Sequence, residues 1–379
     1  MAYDAFTIDT DIANRNGLRF ESGLLAQLNQ FKYAPVQFIL SDIVRREIHR
    51  HLVIQVTEAS ERLNSALVKA EDAGLIGRDH QDWNEKFEAL QPSKSVAGER
   101  LNAFVQATGA TIIPSNLASM DNLVARYFAP KAPFEATGKK KNEFPDAIAL
   151  LSMESWAKNE NKRILAVSLD NGWKAFAEKS EHIDVLDNLA DAMALVQEHT
   201  EAAEKTVIQW IDEVSANPGN PSAMEFVSKL REALSETPFD AEGYGHNCRG
   251  GDGEELRLTS YEIVKNGDEY DLAIIRLGSN EITVSAGVQF EATAVASFSM
   301  AVWDGIDKED IGMGYQTAQR EIEFEGSALL TFALDSHPTN EMLKLISAEI
   351  VEGPGEVNFG EIEVDYGDDA YDDWLESKV

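Results

Sequence analysis

Cysteine is almost missing from this chain: Cys248 stands alone among 379 residues. An intrachain disulfide is thereby excluded, and the composition fits a reducing compartment. Long hydrophobic runs are missing too, since no apolar stretch approaches the ~20 residues that cross a bilayer. The N-terminal MAYDAFTIDT lacks the basic, then apolar, then small-residue succession of a signal peptide. The sequence therefore reads as a cytoplasmic protein without membrane association. Basic residues are scarce as well: 33 Lys and Arg face 66 Asp and Glu, a net charge of −33. A broad nucleic-acid-binding surface needs clustered cations, and this balance argues against one. The shortage is uneven. Residues 1–204 carry 22 Lys and Arg against 30 Asp and Glu, whereas residues 205–379 carry 11 against 36. Any polyanion must then be met in the first half, by local basic groups and by metal.

What remains is an ordinary globular composition, 44% hydrophobic and 26% charged, in a chain long enough for two domains. The first half alternates short apolar runs with helical patterns. Strands are expected at about 5–10, 38–42, 111–114, 163–168 and 183–186. Helices lie between them, including a long helical stretch over 43–107 broken near Gly74–Gly77 and Pro92. Ser41 or Asp42 is placed to cap the helix after the second strand, and Asp187 the helix after the last. This βα alternation implies an α/β/α domain around a mainly parallel sheet, whose functional crevice lies beyond the carboxyl ends of the strands.

Four acids fall where such a crevice would use them. FTIDTDI (6–12) and ILAVSLDNGWKAF (164–176) are apolar runs that end on Asp9 and Asp170. RREIHRH and NEFPDAIAL are helical and carry Glu47 and Asp146. In an extended segment Asp11 would point the same way as Asp9. A set of carboxylates suits a hard cation such as Mg²⁺ or Mn²⁺, which prefers oxygen ligands and retains several waters. Any one such Asp is more simply a helix cap; four in a consistent order are harder to dismiss. Two basic groups flank them: Arg45 and Arg46 beside Glu47, and Lys139, Lys140 and Lys141 just before Asp146, all candidates for phosphate contact. His49 and His51 are two apart on a helix, hence on different faces, which excludes a zinc pair.

The ordered set resembles the PIN-domain nucleases, and a bacterial branch with K-x-N-E-F-P-D-A before the third acid. Asp9 in IDTD, Glu47 in RREIHRH, Asp146 in EFPDAIAL and Asp170 in VSLDNGW match the family's four acids. Thr10 and Ser168 match its small hydroxyl positions, which help to order the site. The resemblance covers roughly residues 4–190. It implies a metal-dependent nuclease, with RNA favoured over DNA. The helical insertion at about 55–110 exceeds the compact members of the family. Two rivals remain. One is a non-catalytic interaction protein on the same fold that acts through its acidic C-terminal half. The other is a haloacid-dehalogenase-like phosphatase, suggested by Asp9-x-Asp11 but contradicted by Ala13 and Asn14 and by the lack of the later acidic pair. An EF-hand reading of DTDIANRNG fails because Ala13 takes a ligand position.

The domain organisation expected is a PIN-like domain over 1–204, a helical connector over 205–237, a β-rich domain over 238–364 and an acidic tail over 365–379. In the third segment residues 282–302 alternate apolar and polar, with a bend expected near Gly287, and 320–335 repeats the pattern with Glu321, Glu323 and Glu325 on the wet face. An antiparallel sandwich or open barrel is expected. GYGHNCRGGDGEE (243–255) reads as a flexible interdomain loop, since one His and one Cys cannot build a zinc site. The acidic tail and half suit a basic protein partner.

Overall fold

The structure is a computed structural model describing residues 3–75, 92–134, 143–197, 200–278, 280–305, 308–333 and 343–363. The chain divides into two units, 1–198 and 199–379. In the first, the apolar run Ala5–Ile8 forms β1, and all four of its residues are buried. A strand buried on both faces belongs at the centre of a parallel sheet covered by helices. Around it stand β2 (Gln37–Ser41), β3 (Thr111–Ile113), β4 (Ile164–Val167) and β5 (Ile183–Leu186), in the order β3-β2-β1-β4-β5. Every pairing is parallel. The strand order reverses at β1, so the crevice opens beyond the ends of β1 and β4.

Eight helices of this unit are described: α1 (Thr10–Arg15), α2 (Gly23–Gln27), α3 (Asp42–Asp72), α4 (Ser93–Thr108), α5 (Met120–Phe128), α6 (Phe144–Glu160), α7 (Asn171–Ala177) and α8 (Leu189–Leu195). Phe6 of β1 stacks on Phe31 at 4.9 Å between ring centres and lies 6.3 Å from Phe38 of β2, so aromatic packing ties the central strands to one helical layer. The capping role after β2 falls to Ser41, whose hydroxyl accepts from the Ile43 amide at 3.3 Å. At α8 the cap is not Asp187. Asn188, one residue nearer the helix, has the extended backbone a cap needs and accepts from the Ala190 and Asp191 amides. Asp187 is engaged by Lys174 at 2.8 Å instead. The long insertion is helical as far as it is described: α3 runs to Asp72, and none of its residues from Val53 to Ala70 is buried.

The second unit opens with α9 (Glu201–Ala216) and α10 (Pro221–Ser235). Its strands are β6 (Asp240–Tyr244), β7 (Cys248–Ile263), β8 (Lys265–Asn266), β9 (Glu269–Tyr270), β10 (Leu272–Leu277), β11 (Glu281–Asp304), β12 (Glu309–Ala333), β13 (Lys344–Glu352) and β14 (Glu356–Glu361). Five of them make one antiparallel sheet, β10-β11-β12-β13 with β7 also on β11; β6 and β14 form a separate parallel pair. Trp210 of α9 meets Phe332 at 4.8 Å and Phe226 of α10 meets Tyr261 at 5.4 Å, so the segment expected as a connector supplies helices packed on this sheet. Among the described residues the five-stranded sheet is covered by α9 and α10 and, near Phe298, by the β6–β14 pair, and it does not close into a barrel.

Three local expectations change for steric reasons. At Gly287 the strand continues, and its neighbour switches from β10 to β7; a Cβ there would meet a carboxylate oxygen of Asp271 at 2.5 Å. From Ile282 to Met300 every apolar position of the expected inward parity is buried, but Thr283, Ser285 and Val295 of the other parity are buried too. Beside the register shift at Met300 and Ala301, where β12 carries Met313 as the extra residue, Ala301 is 7% exposed and Val302 40% exposed. The Gly-rich 243–255 stretch is mostly strand, with glycine where chains pack closely: a Cβ on Gly253 would lie 2.5 Å from the Phe239 carbonyl oxygen. Glu321, Glu323 and Glu325 are exposed, and the 365–379 tail lies outside the described residues. Among the described residues no helix is long and apolar enough to cross a membrane.

Candidate active site

Asp9 follows the last residue of β1 and Ser168 the last of β4, and the two strands are paired at Ile8 and Val167. The Asp9 amide donates to the Val167 carbonyl at 2.9 Å. Its carboxylate is 5% exposed and takes one donor on each oxygen: the Thr10 amide at 2.6 Å and the Ser168 hydroxyl at 2.8 Å. The Ser168 hydroxyl in turn accepts from the Asp170 amide at 3.1 Å, so one side chain spans both strand ends. Asp170 caps α7, accepting from the amides of Gly172 and Trp173.

The two helical acids join through single donors. Thr10 turns its hydroxyl to Glu47 on α3, 2.8 Å away. Asp146 lies in the first turn of α6, where Pro145 occupies a position that needs no amide donor. Its Oδ1 accepts the indole N–H of Trp173 at 3.0 Å. Trp173 is fully buried, and it therefore fixes Asp146 with its ring and Asp170 with its backbone. The sequence reading stopped at Asp170 and missed this residue. The available signal was an indole three residues into the helix that Asp170 starts, because a buried Trp N–H needs an acceptor.

Asp11 departs from expectation. The helix begins directly after Asp9, so the two-residue spacing no longer places both on one face, and Asp11 is exposed in the first turn of α1. Arg45 and Arg46 both pair with Asp42, at 3.2 and 2.8 Å. Lys139, Lys140 and Lys141 lie outside the described residues.

These acids feel one another. Burial pushes the Asp9 carboxyl up to about 7; the Ser168 and Thr10 hydrogen bonds oppose this, and the charges of Asp146 and Asp11 add to it. Asp146 is also raised, first by burial and then by the charges of Glu47, Asp170 and Asp11, against the Trp173 hydrogen bond. Among the described residues no three acids, His or Cys already stand in the tight shell that grips an ion; their oxygens are held by Thr10, Ser168 and Trp173. The donors are all hard oxygens, and a divalent cation would offset the repulsion that raises Asp9 and Asp146, so the residues present fit a hard divalent cation.

A parallel α/β/α unit with acids gathered at its strand-order reversal defines a class of carboxylate-bearing site suited to metal-assisted phosphoryl chemistry. Residues 7–173 match the family model described as PIN domain, a span that contains all four acids. The first unit is therefore a PIN-like α/β/α domain by both its sheet order and this match, a fold associated with metal-dependent nucleases. No curated protein matches the chain.

Two outcomes follow from the hydrogen bonds and charges of this site. The folded protein holds the Asp9 proton up to about pH 7, whereas an unfolded Asp releases it near 3.8. Its burial thus costs increasing stability as pH rises through that window. A cation that takes the ionised form should raise the melting temperature strongly at pH 8 and little at pH 5. Thermal melts with Mn²⁺ against chelator measure this, and equal shifts at both pH values would contradict it. Trp173→Phe keeps most of the buried volume but removes the indole donor from Asp146. Titration calorimetry should find Mn²⁺ binding weakened about 10-fold or more; unchanged affinity would remove Trp173 from the site's support.

Proposed function

We propose that the protein hydrolyses phosphodiester bonds of nucleic acid with Mg²⁺ or Mn²⁺ held by Asp9, Asp146 and Asp170. Single-stranded RNA is the favoured substrate, on the PIN resemblance. The observation that carries this reading is the chain of buried donors, Thr10, Ser168 and Trp173, that ties the four acids to one place. Bound there, a divalent ion supplies the positive charge that phosphodiester cleavage requires at neutral pH. Asp9 and Asp170 present oxygens from the two central strand ends, and Ser168 sets their relative orientation. Glu47, oriented by the Thr10 hydroxyl, would hold a second metal ion or orient the attacking water. Lys139–Lys141, just before Asp146 in the sequence, are the proposed phosphate contacts; Arg45 and Arg46 would have to leave Asp42 to serve in the same way.

Asp9→Asn and Asp170→Asn should each lower cleavage of a labelled single-stranded RNA by about 100-fold or more, since the lost charge acts mainly in the transition state. Chelator should abolish wild-type cleavage. Wild-type rates in both variants would trace the activity to a contaminant. Turnover of a small phosphate monoester, with none of RNA or DNA, would support the phosphatase reading; no turnover of either would support the interaction-protein reading.

The second unit contributes none of the four acids, and its charge opposes a polyanion. Its proposed role is regulation or docking of a basic protein, through the acidic half and the 365–379 tail. A chain ending at residue 204 should cleave single-stranded RNA at least as fast as the full protein at low salt, with the difference shrinking at high salt as the Debye length falls toward ~3 Å at 1 M. A folded but inactive short chain would instead assign substrate binding to the second unit.

A further inference from the structure

An aromatic cluster is built on the helix that carries Asp146. Phe144, the first residue of α6, lies two positions before Asp146, and its ring sits 4.9 Å from that of Tyr127 on α5. Tyr127 in turn meets the edge of Phe128 at 5.3 Å. Phe134 closes the cluster, 5.2 Å from Phe144 and 5.5 Å from Tyr127. Pro133, next to Phe134, packs against the turn that Asp170 caps: a Cβ on Gly172 would lie 3.0 Å from it and 2.7 Å from the Asp170 carboxylate. Burial along this cluster runs in one direction. Phe134 is 3% exposed, Tyr127 and Phe144 are half-buried, and Phe128 is 78% exposed.

A large aromatic ring left in water is costly unless something covers it, since burying one gains about 1.5–3 kcal/mol. Tyr127, the neighbour beneath Phe128, is itself braced by two further rings, so the exposed face is presented on a firm support. We propose that Phe128 is a stacking platform for a base of a single-stranded nucleic acid whose scissile phosphate lies at the four acids. The proposal rests on the nuclease reading and adds to it how the strand is held. Stacking needs no sequence and no positive charge, because every base has a flat face. That suits a chain so poor in Lys and Arg, where electrostatic capture is weak. Unstacked bases are required, which selects single strands over duplexes. The ring contacts from Phe128 through Tyr127 to Phe144 connect the platform to the helix that carries Asp146.

The test uses the full-length protein with Mn²⁺, and RNA, DNA and duplex oligonucleotides of one sequence. Binding is read by anisotropy on the Asp9→Asn background, and stacking by quenching of a 2-aminopurine placed at successive positions. Phe128→Ala should weaken single-strand binding about 10-fold and raise KM for cleavage by a similar factor, with far less effect on kcat. Phe128→Trp should restore both, and one 2-aminopurine position should lose its quenching in the Ala variant. RNA and DNA arms alike should respond if the base face is what is read, and the duplex should bind weakly throughout. Unchanged binding and KM in Phe128→Ala, with wild-type cleavage intact, would overturn the platform and leave the nuclease reading standing. A change in oligomeric state by light scattering, without a change in oligonucleotide binding, would make this ring a protein contact and also overturn it. Absence of both binding and cleavage in the wild type would defeat the two readings together.

Discussion

The constraint on which the first unit turns is the burial of negative charge at the end of its central strand. A carboxylate as enclosed as Asp9 loses much of its hydration, and an isolated charge in that position would simply take up a proton. Here the cost is reduced by one donor on each oxygen, from Thr10 and Ser168. Those donors exist only because β1 and β4 are neighbours in parallel register and because α1 begins immediately after Asp9. Sheet order, helix start and site chemistry are therefore one arrangement. The remaining acids then add repulsion that the fold alone does not relieve, which is the electrostatic condition a divalent cation answers.

Much of this unit was legible in the sequence because its signals are local. Apolar runs such as AFTI and ILAV mark buried parallel strands, and the Asp that ends each run is visible as a boundary. The position of Asp187 was misread by one residue, since Asn188 competes for the same cap and only backbone geometry decides between them. Asp11 was misplaced for a related reason: whether residue 10 continues a strand or opens a helix inverts the face of its neighbour. Trp173 was unreadable in its role because its partner Asp146 is 27 positions away and is brought close only by packing of α6 against α7.

In the second unit the period-two pattern was legible and its assembly was not. Alternation reports that a strand has a wet and a dry face, but not what covers the dry one. The cover is supplied by α9 and α10, whose own sequence is amphipathic and reads equally well as a linker between domains. The bulge after Met300 shows a further limit. The extra residue, Met313, lies on the partner strand β12, so nothing in the sequence of β11 itself marks the place where Val302 becomes exposed.

The four acids stand at the ends of elements, and the chain leaves and returns to the same place between Glu47 and Asp146. That excursion contains the long α3, α4 and everything between them. In polymer terms it is a closed ring, and the entropy of closing a ring grows only with the logarithm of its length, about 0.6 kcal/mol for each doubling. The family's compact form can therefore be enlarged by dozens of residues at this point with almost no thermodynamic penalty to the site. The length of that excursion is thereby nearly decoupled from the geometry of the site, whereas the tightly spaced segment from Ser168 to Trp173 has no such freedom.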